Sequence, residues 1–312
     1  MTPHQKGLAL TGFGAMVLTF DIPVLRLAGG DLWPVQFVRS GLGLGVALLA
    51  WGVLALARRR SALIPGRVGV ATAGLYGLSA IAFVNAVFHT AAANVVFILS
   101  FNIAFAAMLG WLVLGERPAR ATLVTMAIMI GAVALIVGDS MRTGNLFGDI
   151  SALFAAFLIA AAITLTRASG RDMGFAPMVG GILPVVLASA VMLGGGPGAE
   201  TIEAPWWLIL NGAVLIPLSF WCLATGPKYI TGSEVAMFFL LETVLAPVWV
   251  WMIFGEVPTT PALIGGVILI AALVGHTLWQ LRRERRRTLV RKRSVAQGRE
   301  PAADVAKRRL AV

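Results

Sequence analysis

Six side chains with charged or polar groups lie inside otherwise apolar stretches, and they are the candidates for chemistry or binding: Asp21, Arg39, Tyr76, Ser79, Asn102 and Glu242. Glu242 is the most informative, because a carboxylate in a long apolar run is costly to bury unless it is paired, protonated or hydrated. We expect it to bind a cationic group of a substrate or to carry a proton that drives transport. The alternative is a neutral acid that bonds to a neighbouring helix, or to the carbonyl of Thr243 that Pro247 leaves without a donor.

Asp21 and Arg39 are predicted to lie at similar depths in consecutive helices, near the same end of both. One interpretation is a salt bridge that locks the two helices together. The other is a charge gate, or a clamp for a substrate carboxylate, since a guanidinium can donate two parallel hydrogen bonds to a carboxylate.

A set of uncharged polar residues is predicted in the third and fourth helices: Tyr76, Ser79, Asn85, Asn94, Ser100 and Asn102. Ser79 and Asn102 should lie nearest the middle of the membrane. Such side chains either line a cavity or hydrogen-bond between helices, which contributes about 0.6 kcal/mol each.

The elements that position these residues are long apolar runs. The chain is 58% hydrophobic and only 12% charged, whereas a soluble domain carries about 25% charged residues. A helix of about 20 residues crosses the hydrocarbon layer of a membrane. Ten runs of suitable length occur, near 7–27, 33–57, 68–88, 92–114, 119–138, 147–167, 175–194, 206–226, 232–254 and 260–281. The sequence therefore predicts an all-α polytopic membrane protein with ten transmembrane helices.

The basic residues of the loops predict its orientation, because lysine and arginine are retained on the cytoplasmic side. With a cytoplasmic N-terminus, the outer loops hold only Arg26 and Arg142, and the other basic loop residues and the tail are inside. We expect a multi-pass protein of the cell inner (plasma) membrane with both termini cytoplasmic. The basic tail, 282–312, carries most of the net charge of +11; its start should continue the last helix and the rest should be disordered. It should contact anionic lipid rather than nucleic acid.

An internal repeat relates the two halves of the chain. At an offset of 140, Asn102 aligns with Glu242 and Ser79 with Ser219; the turn residues Trp111, Gly115, Glu116 and Pro118 align with Trp251, Gly255, Glu256 and Pro258, and at 141 Arg26 aligns with Arg167. Five helices per repeat is an odd number, so the sequence predicts two inverted five-helix repeats, 7–138 and 147–281. Inverted repeats around one site are typical of transporters that work by alternating access. The two Gly-Glu-x-Pro turns are interpreted as hairpin devices, with each proline at the first helical position.

The sequence offers no catalytic, metal or cofactor site. Cys222 is the single cysteine, the three histidines are widely spaced, and no GxxxxGK[ST] phosphate-binding loop occurs. Two alternatives to a transporter remain open. Asp21 and Glu242 could perform acid–base chemistry on a lipid if they converge on one site, or the chain could form a passive small-solute pore.

The repeated hairpins resemble a known family. The segments VVFILSFNIAFAAMLGWLVLGERP (95–118) and VAMFFLLETVLAPVWVWMIFGEVP (235–258) are similar to the EamA repeat of the drug/metabolite transporter superfamily, as is Arg39 within Phe37-Val38-Arg39-Ser40. The resemblance implies a ten-helix exporter of small metabolites, with helices 5 and 10 outside a central cavity. We therefore predict a secondary transporter that exports amino acids or drug-like compounds and contacts them through the six residues named at the start. A homodimer is compatible with this layout.

Overall fold

A computed structural model describes residues 2–57, 62–171, 173–196, 201–226, 229–230 and 232–296, and these residues form helices and no strand. The helices are α1 (Pro3–Leu18), α2 (Asp21–Ala28), α3 (Leu32–Leu56), α4 (Gly66–His89), α5 (Ala92–Leu99), α6 (Asn102–Leu114), α7 (Arg120–Thr143), α8 (Leu146–Ser169), α9 (Ala176–Val179), α10 (Ile182–Leu193), α11 (Pro205–Ile209), α12 (Ile216–Thr225), α13 (Gly232–Phe254) and α14 (Thr260–Ala296). A π-helical stretch, Leu210–Leu215, connects α11 to α12.

Ten spans in the described part of the chain are long and apolar enough to cross a membrane, which confirms the predicted all-α class with ten transmembrane helices. Paired helices build several spans: α1 and α2 the first, α5 and α6 the fourth, α9 and α10 the seventh, and α11 and α12 the eighth. The last helix continues beyond the tenth span into the basic tail as far as Ala296. The rest of the predicted disordered tail lies outside the described residues.

The two repeated turns end their helices on glycine. Gly115 and Gly255 follow α6 and α13 with φ of 70° and 65°, a left-handed conformation that glycine adopts without steric cost. The prediction for the prolines was wrong. Pro118 and Pro258 lie in five-residue links, two residues before α7 and α14 begin. Both links lie outside regular secondary structure, and proline biases the residue before it away from helix.

Three of the four paired spans in the described chain are interrupted by a turn, and a hydroxyl side chain lies at two of the breaks. The first span breaks at Thr19, whose Oγ1 donates to the carbonyl of Met16 at 2.7 Å. The fourth breaks at Ser100, whose Oγ donates to the carbonyl of Phe97 at 2.6 Å. Such bonds compete with the helix for carbonyl groups. The seventh span breaks at Gly180 and Gly181. Discontinuous spans are typical of substrate sites in transporters.

Contacts between loops define the two ends of the bundle. At one, which we call the Asp31 end, Asp31 accepts from the backbone N–H of Thr201 at 3.0 Å. At the other, the Arg171 end, Arg171 donates to the carbonyl of Pro65 at 2.9 Å. The buried apolar core lies mostly in the halves of the spans nearest the Asp31 end, with Ile22, Leu25, Val35, Val84, Val87, Val95, Ile98, Ala152, Leu208 and Val250 among its members. The bundle is therefore packed most tightly there.

Candidate functional site

All six predicted residues line one cavity of about 250 Å³. Its walls come from the first four spans and from the sixth to the ninth, and include Leu18, Asp21, Arg39, Ser40, Gly43, Tyr76, Ser79, Ala80, Phe83, Leu99, Asn102, Ile159, Pro177, Met178, Gly181, Ile216, Phe220, Phe239 and Glu242. Among the described residues, none of the fifth or tenth span contributes, as the family resemblance implies. Instead those spans pack on each other, and the Thr122 hydroxyl lies 3.1 Å from His276 Nε2.

The helix breaks supply part of the cavity wall. Asp21 and Asn102 are the first residues of α2 and α6, directly after the interruptions of the first and fourth spans. A side chain of the ninth span holds the first break in place: Trp249 Nε1 donates to Thr19 Oγ1 at 3.0 Å, and its ring stacks on Phe20 at 5.0 Å. The breaks thus let a polar residue face the cavity where a continuous apolar helix would run.

Asp21 and Arg39 form the salt bridge that their matching depth predicts, and both side chains are largely buried. Arg39 Nη2 lies 3.1 Å from Asp21 Oδ1 and 2.9 Å from Oδ2. Arg39 Nε donates to Asn211 Oδ1 at 2.9 Å, and Asn211 Nδ2 donates to Asp21 Oδ1 at 2.7 Å. The guanidinium also lies 5.1 Å from the ring centre of Phe83. The three polar residues therefore close a ring that joins the first, second and eighth spans.

Asn211 is the part of this ring that sequence reasoning missed. It is fully buried, and it lies in the π-helical stretch, where the irregular turn offers its amide to the ion pair. π-Bulges occur frequently at functional sites. The signal in the sequence was a single amide within the apolar run 206–226. The depth of Asn211 in its run matches that of Asp21. However, nothing in the run itself indicates that Asn211 bonds to Asp21 and Arg39.

Glu242 faces the cavity. Within the part of the chain that the structure describes, its carboxylate makes no hydrogen bond and no ion pair, and Asp21 is the charged group close enough to interact with it. The structure therefore contains neither of the bonds expected for a purely structural acid at this position. A carboxylate left unpaired in a cavity is available to a cationic ligand or to a proton.

The uncharged polar residues divide between the cavity and other places. Ser79 lines the cavity, but its Oγ donates within its own helix, to the carbonyl of Tyr76 at 2.7 Å, rather than across to another helix. Tyr76 and Asn102 also line it. Asn94 instead lies near the Asp31 end, where its amide donates to Ser140 at 3.1 Å. Asn85 and Ser100 are not part of the cavity wall.

Two ion pairs, one at each end of the bundle, join the predicted repeats. Arg26 pairs with Glu256 at the Asp31 end, and Arg167 pairs with Glu116 at the Arg171 end, where Nη2 and Oε2 are 2.7 Å apart. The arginines are equivalent positions of the internal repeat, and so are the glutamates. Each pair connects the first helix of one repeat to the hairpin of the other. The glutamates therefore do more than shape a hairpin turn.

The two pairs differ in burial, and we expect them to differ in strength. Arg26 and Glu256 are 20% and 26% exposed, against 48% and 54% for Arg167 and Glu116. Glu256 also accepts the N–H of Ala92 at the start of α5, at 2.9 Å. Glu256→Ala should cost about 1.5–3 kcal/mol, as for hydrogen bonds to a charged group, whereas Glu116→Ala should cost about 0–1 kcal/mol. Thermal unfolding of both purified variants in detergent checks this, and the reverse order would contradict it.

The chain is similar to known transporters. Residues 144–278 match the model of the EamA-like transporter family. The pseudopaline exporter CntI of Pseudomonas aeruginosa is 22% identical over 255 residues, which cover 81% of this chain and 84% of CntI. The uncharacterized transporter YdfC of Bacillus subtilis is 25% identical over 154 residues, 48% of this chain and 50% of YdfC. A solved crystal structure that is 16% identical shares the fold, with a TM-score of 0.61 over 87% of this chain and 97% of the other.

Proposed function

Because the chain is a member of the EamA-like transporter family, in the drug/metabolite transporter superfamily, we propose that this membrane transporter exports small zwitterionic or cationic metabolites by alternating access. The observation that carries the proposal is a cavity whose polar side chains come from five different spans. A site between helices that can move relative to one another is what alternating access requires.

The size and lining of the cavity indicate the class of cargo. Its volume of about 250 Å³ is below the range of about 300–1,000 Å³ that is typical for drug-sized ligands. This favours compounds of amino-acid size over larger drug-like compounds. Phe83, Phe220 and Phe239 offer apolar contact, and Glu242 offers a charge for an ammonium group. The cargo is therefore small, partly apolar and positively charged at one point.

The state of the bundle suggests the direction from which cargo enters. The tightly packed core closes the Asp31 end, and the cavity lies between that core and the Arg171 end. If the basic residues of the loops keep the Arg171 end in the cytoplasm, this state loads cargo from inside the cell. Export then requires the predicted inverted repeats to exchange their conformations.

We expect both termini to be cytoplasmic, and a topology assay tests this. His4 lies 3.4 Å from Glu234 at the start of α13, and His276 contacts α7 near its start, so the first and last spans begin and end at the same end of the bundle. Reporter fusions at Met1 and after Ala296 should both be active only as cytoplasmic reporters. Activity of either fusion as a periplasmic reporter would contradict the orientation. A fusion in the 90–91 loop is the control, and it should be active only as a periplasmic reporter.

The cargo is found by comparing metabolites in cells and medium with and without the protein. Compounds that accumulate in the medium are then tested in proteoliposomes, with pseudopaline added to the panel because CntI exports it. Uptake against a gradient supports a transporter. Flux that only ever runs down a gradient would favour the passive pore, and unchanged metabolite levels followed by absent flux would overturn the proposal.

The alternative of an intramembrane enzyme meets its geometric condition, since Asp21 and Glu242 line the same cavity. The contacts of Asp21 weaken it. Both carboxylate oxygens of Asp21 already interact with Arg39, and one also accepts from Asn211. A general base must be within reach of the proton that it removes, and Asp21 is held instead by its partners. Chemical conversion of a lipid in the proteoliposome assay would revive this alternative.

A further inference from the structure

A second buried carboxylate lies outside the cavity and has no cationic partner in the described part of the chain. Asp149, in the first turn of α8, is 0% exposed. No lysine, arginine or histidine of the described residues pairs with it, and the charged group that interacts with it is another carboxylate, Asp139. Helix α8 passes close to the end of α4 at this point, since a Cβ atom at Gly148 would clash with the backbone of His89. This close packing buries the neighbouring Asp149. A charge in this position requires compensation.

Polar side chains from three other elements surround Asp149, namely two hydroxyl groups and one amide. The Thr90 hydroxyl donates to Asp149 Oδ1 at 2.5 Å, and Asn94 Nδ2 lies 3.4 Å from the same oxygen. Asn94 Nδ2 also donates to Ser140 Oγ at 3.1 Å, and Ser140 interacts with Asp149. The cluster thus gathers side chains from α5, α7, α8 and the loop before α5, and all four residues are at least nine-tenths buried.

Two oxygen atoms of the cluster have no donor among the described residues. They are Asp149 Oδ2 and Asn94 Oδ1, and both are buried. Buried acceptors are almost always paired, so two unpaired acceptors in one cluster point to a missing positive group. Carboxylate, amide and hydroxyl oxygens are the ligands preferred by hard cations. A single carboxylate charge suits a monovalent cation better than a divalent one.

We infer that Asp149, Asn94, Thr90 and Ser140 form a binding site for one monovalent cation, either a proton or Na⁺. The inference rests on the proposed function, to which it adds the coupling ion. The site is linked to the packed end of the bundle: the carbonyl of Thr90 accepts from Arg26 at 2.7 Å, and Arg26 pairs with Glu256 of the other repeat. Occupancy of the site is therefore positioned to affect the contact between the repeats at that end.

Infrared difference spectroscopy of the purified full-length protein tests the site without any cargo. A protonated carboxyl group has a C=O stretching band that disappears when the group loses its proton or binds Na⁺. We expect the wild type to lose such a band when Na⁺ replaces choline at constant pH, or when pH rises. Asp149→Asn should abolish this change. Asp139→Asn removes the neighbouring carboxylate, which instead accepts from Thr259, and should retain it.

The other ionisable groups near the cluster do not confuse the measurement. They are Asp139 on α7, His89 at the end of α4, and Arg26 with its partner Glu256. His89 and Arg26 have no carboxyl band. Any band from Asp139 or Glu256 is identified by its loss in Asp139→Asn or Glu256→Ala. A second variant, Ser140→Ala, keeps the Asp149 carboxyl but removes one ligand. It should raise the Na⁺ concentration for half-saturation severalfold if the ion is Na⁺, or shift the pH midpoint of the band if the ion is a proton.

Each outcome decides the question. A band that responds to Na⁺ at constant pH assigns Na⁺, and one that responds only to pH assigns a proton. A band from Asp149 that neither treatment changes, or an unchanged response in folded Asp149→Asn, would overturn the site. If Asp149→Asn does not fold, the Ser140→Ala shift decides alone. Failure here would leave cargo export untouched, whereas absent export with an intact ion response would overturn only the proposed function.

Discussion

Arg39→Met should cost about 3–5 kcal/mol of stability, because it leaves the carboxylate of Asp21 buried without its counter-charge. Asp21 is 6% exposed, and its remaining partner is the amide of Asn211. One amide cannot replace a guanidinium that contacts both carboxylate oxygens. The measurement is the thermal unfolding midpoint of the purified protein in detergent, compared with that of the wild type.

Two further variants distinguish a lost ion pair from a general effect of the substitution. Arg142→Met makes the same chemical change at an exposed position and should alter stability by less than about 0.5 kcal/mol. The double variant Asp21→Asn, Arg39→Met removes both charges and should recover most of the loss, since a buried pair can be replaced at little cost. A double variant that is no more stable than Arg39→Met alone would show that the ring with Asn211, and not the charge, sets the stability.

Glu242→Gln should abolish most export while the protein stays folded. The substitution keeps the shape of the side chain and removes the charge that we assign to cargo or proton binding. Losing one partner of a buried charge pair costs about 2–5 kcal/mol, which corresponds to at least about a 30-fold loss of affinity. The measurement is cargo flux in proteoliposomes at equal protein content, with the compound that metabolite profiling identifies.

The matched control lies in the same helix. Glu234 is near the start of α13, 3.4 Å from His4, and does not line the cavity. Glu234→Gln should therefore retain export. Since Glu242 has no hydrogen-bond partner in the described structure, its replacement should also leave the unfolding midpoint nearly unchanged. Normal flux in folded Glu242→Gln would remove this residue from the transport mechanism.

The sequence predicts the residues of the cavity better than it predicts their contacts. Polar groups in apolar runs are few, so burial cost identifies the six that line the cavity, although it does not separate them from Asn85, Asn94 and Ser100, which do not line it. Their bonding depends on elements that are far apart in the chain, such as Arg39 and Asn211. The Arg26–Glu256 pair joins positions 230 residues apart, and although the internal repeat marks all four residues of the two inter-repeat pairs, it does not indicate that they meet.

The sequence predicts neither the helix interruptions nor the Asp149 cluster. The interruptions depend on local backbone geometry, and the cluster depends on packing between helices. Thr19 and Ser100 sit within apolar runs that are long enough for continuous helices. Ser79 bonds to the carbonyl three residues before it, as they do, without interrupting α4, so a hydroxyl in the sequence does not mark a break. Asp149 lies near the end of its run, where an acid normally faces water and suits the helix dipole. Its burial follows from the packing of α8 against α4, which no pattern within either helix predicts.

The length of α14 has a practical consequence for any attached protein. The tenth span ends at Arg283, and the helix runs on to Ala296, which adds about 20 Å at 1.5 Å per residue. A fluorescent protein joined after Ala296 would be carried on a stiff spacer of that length and not on a flexible one. Distances measured from such a label to the lipid headgroups or to a second label would then report the tilt of this helix.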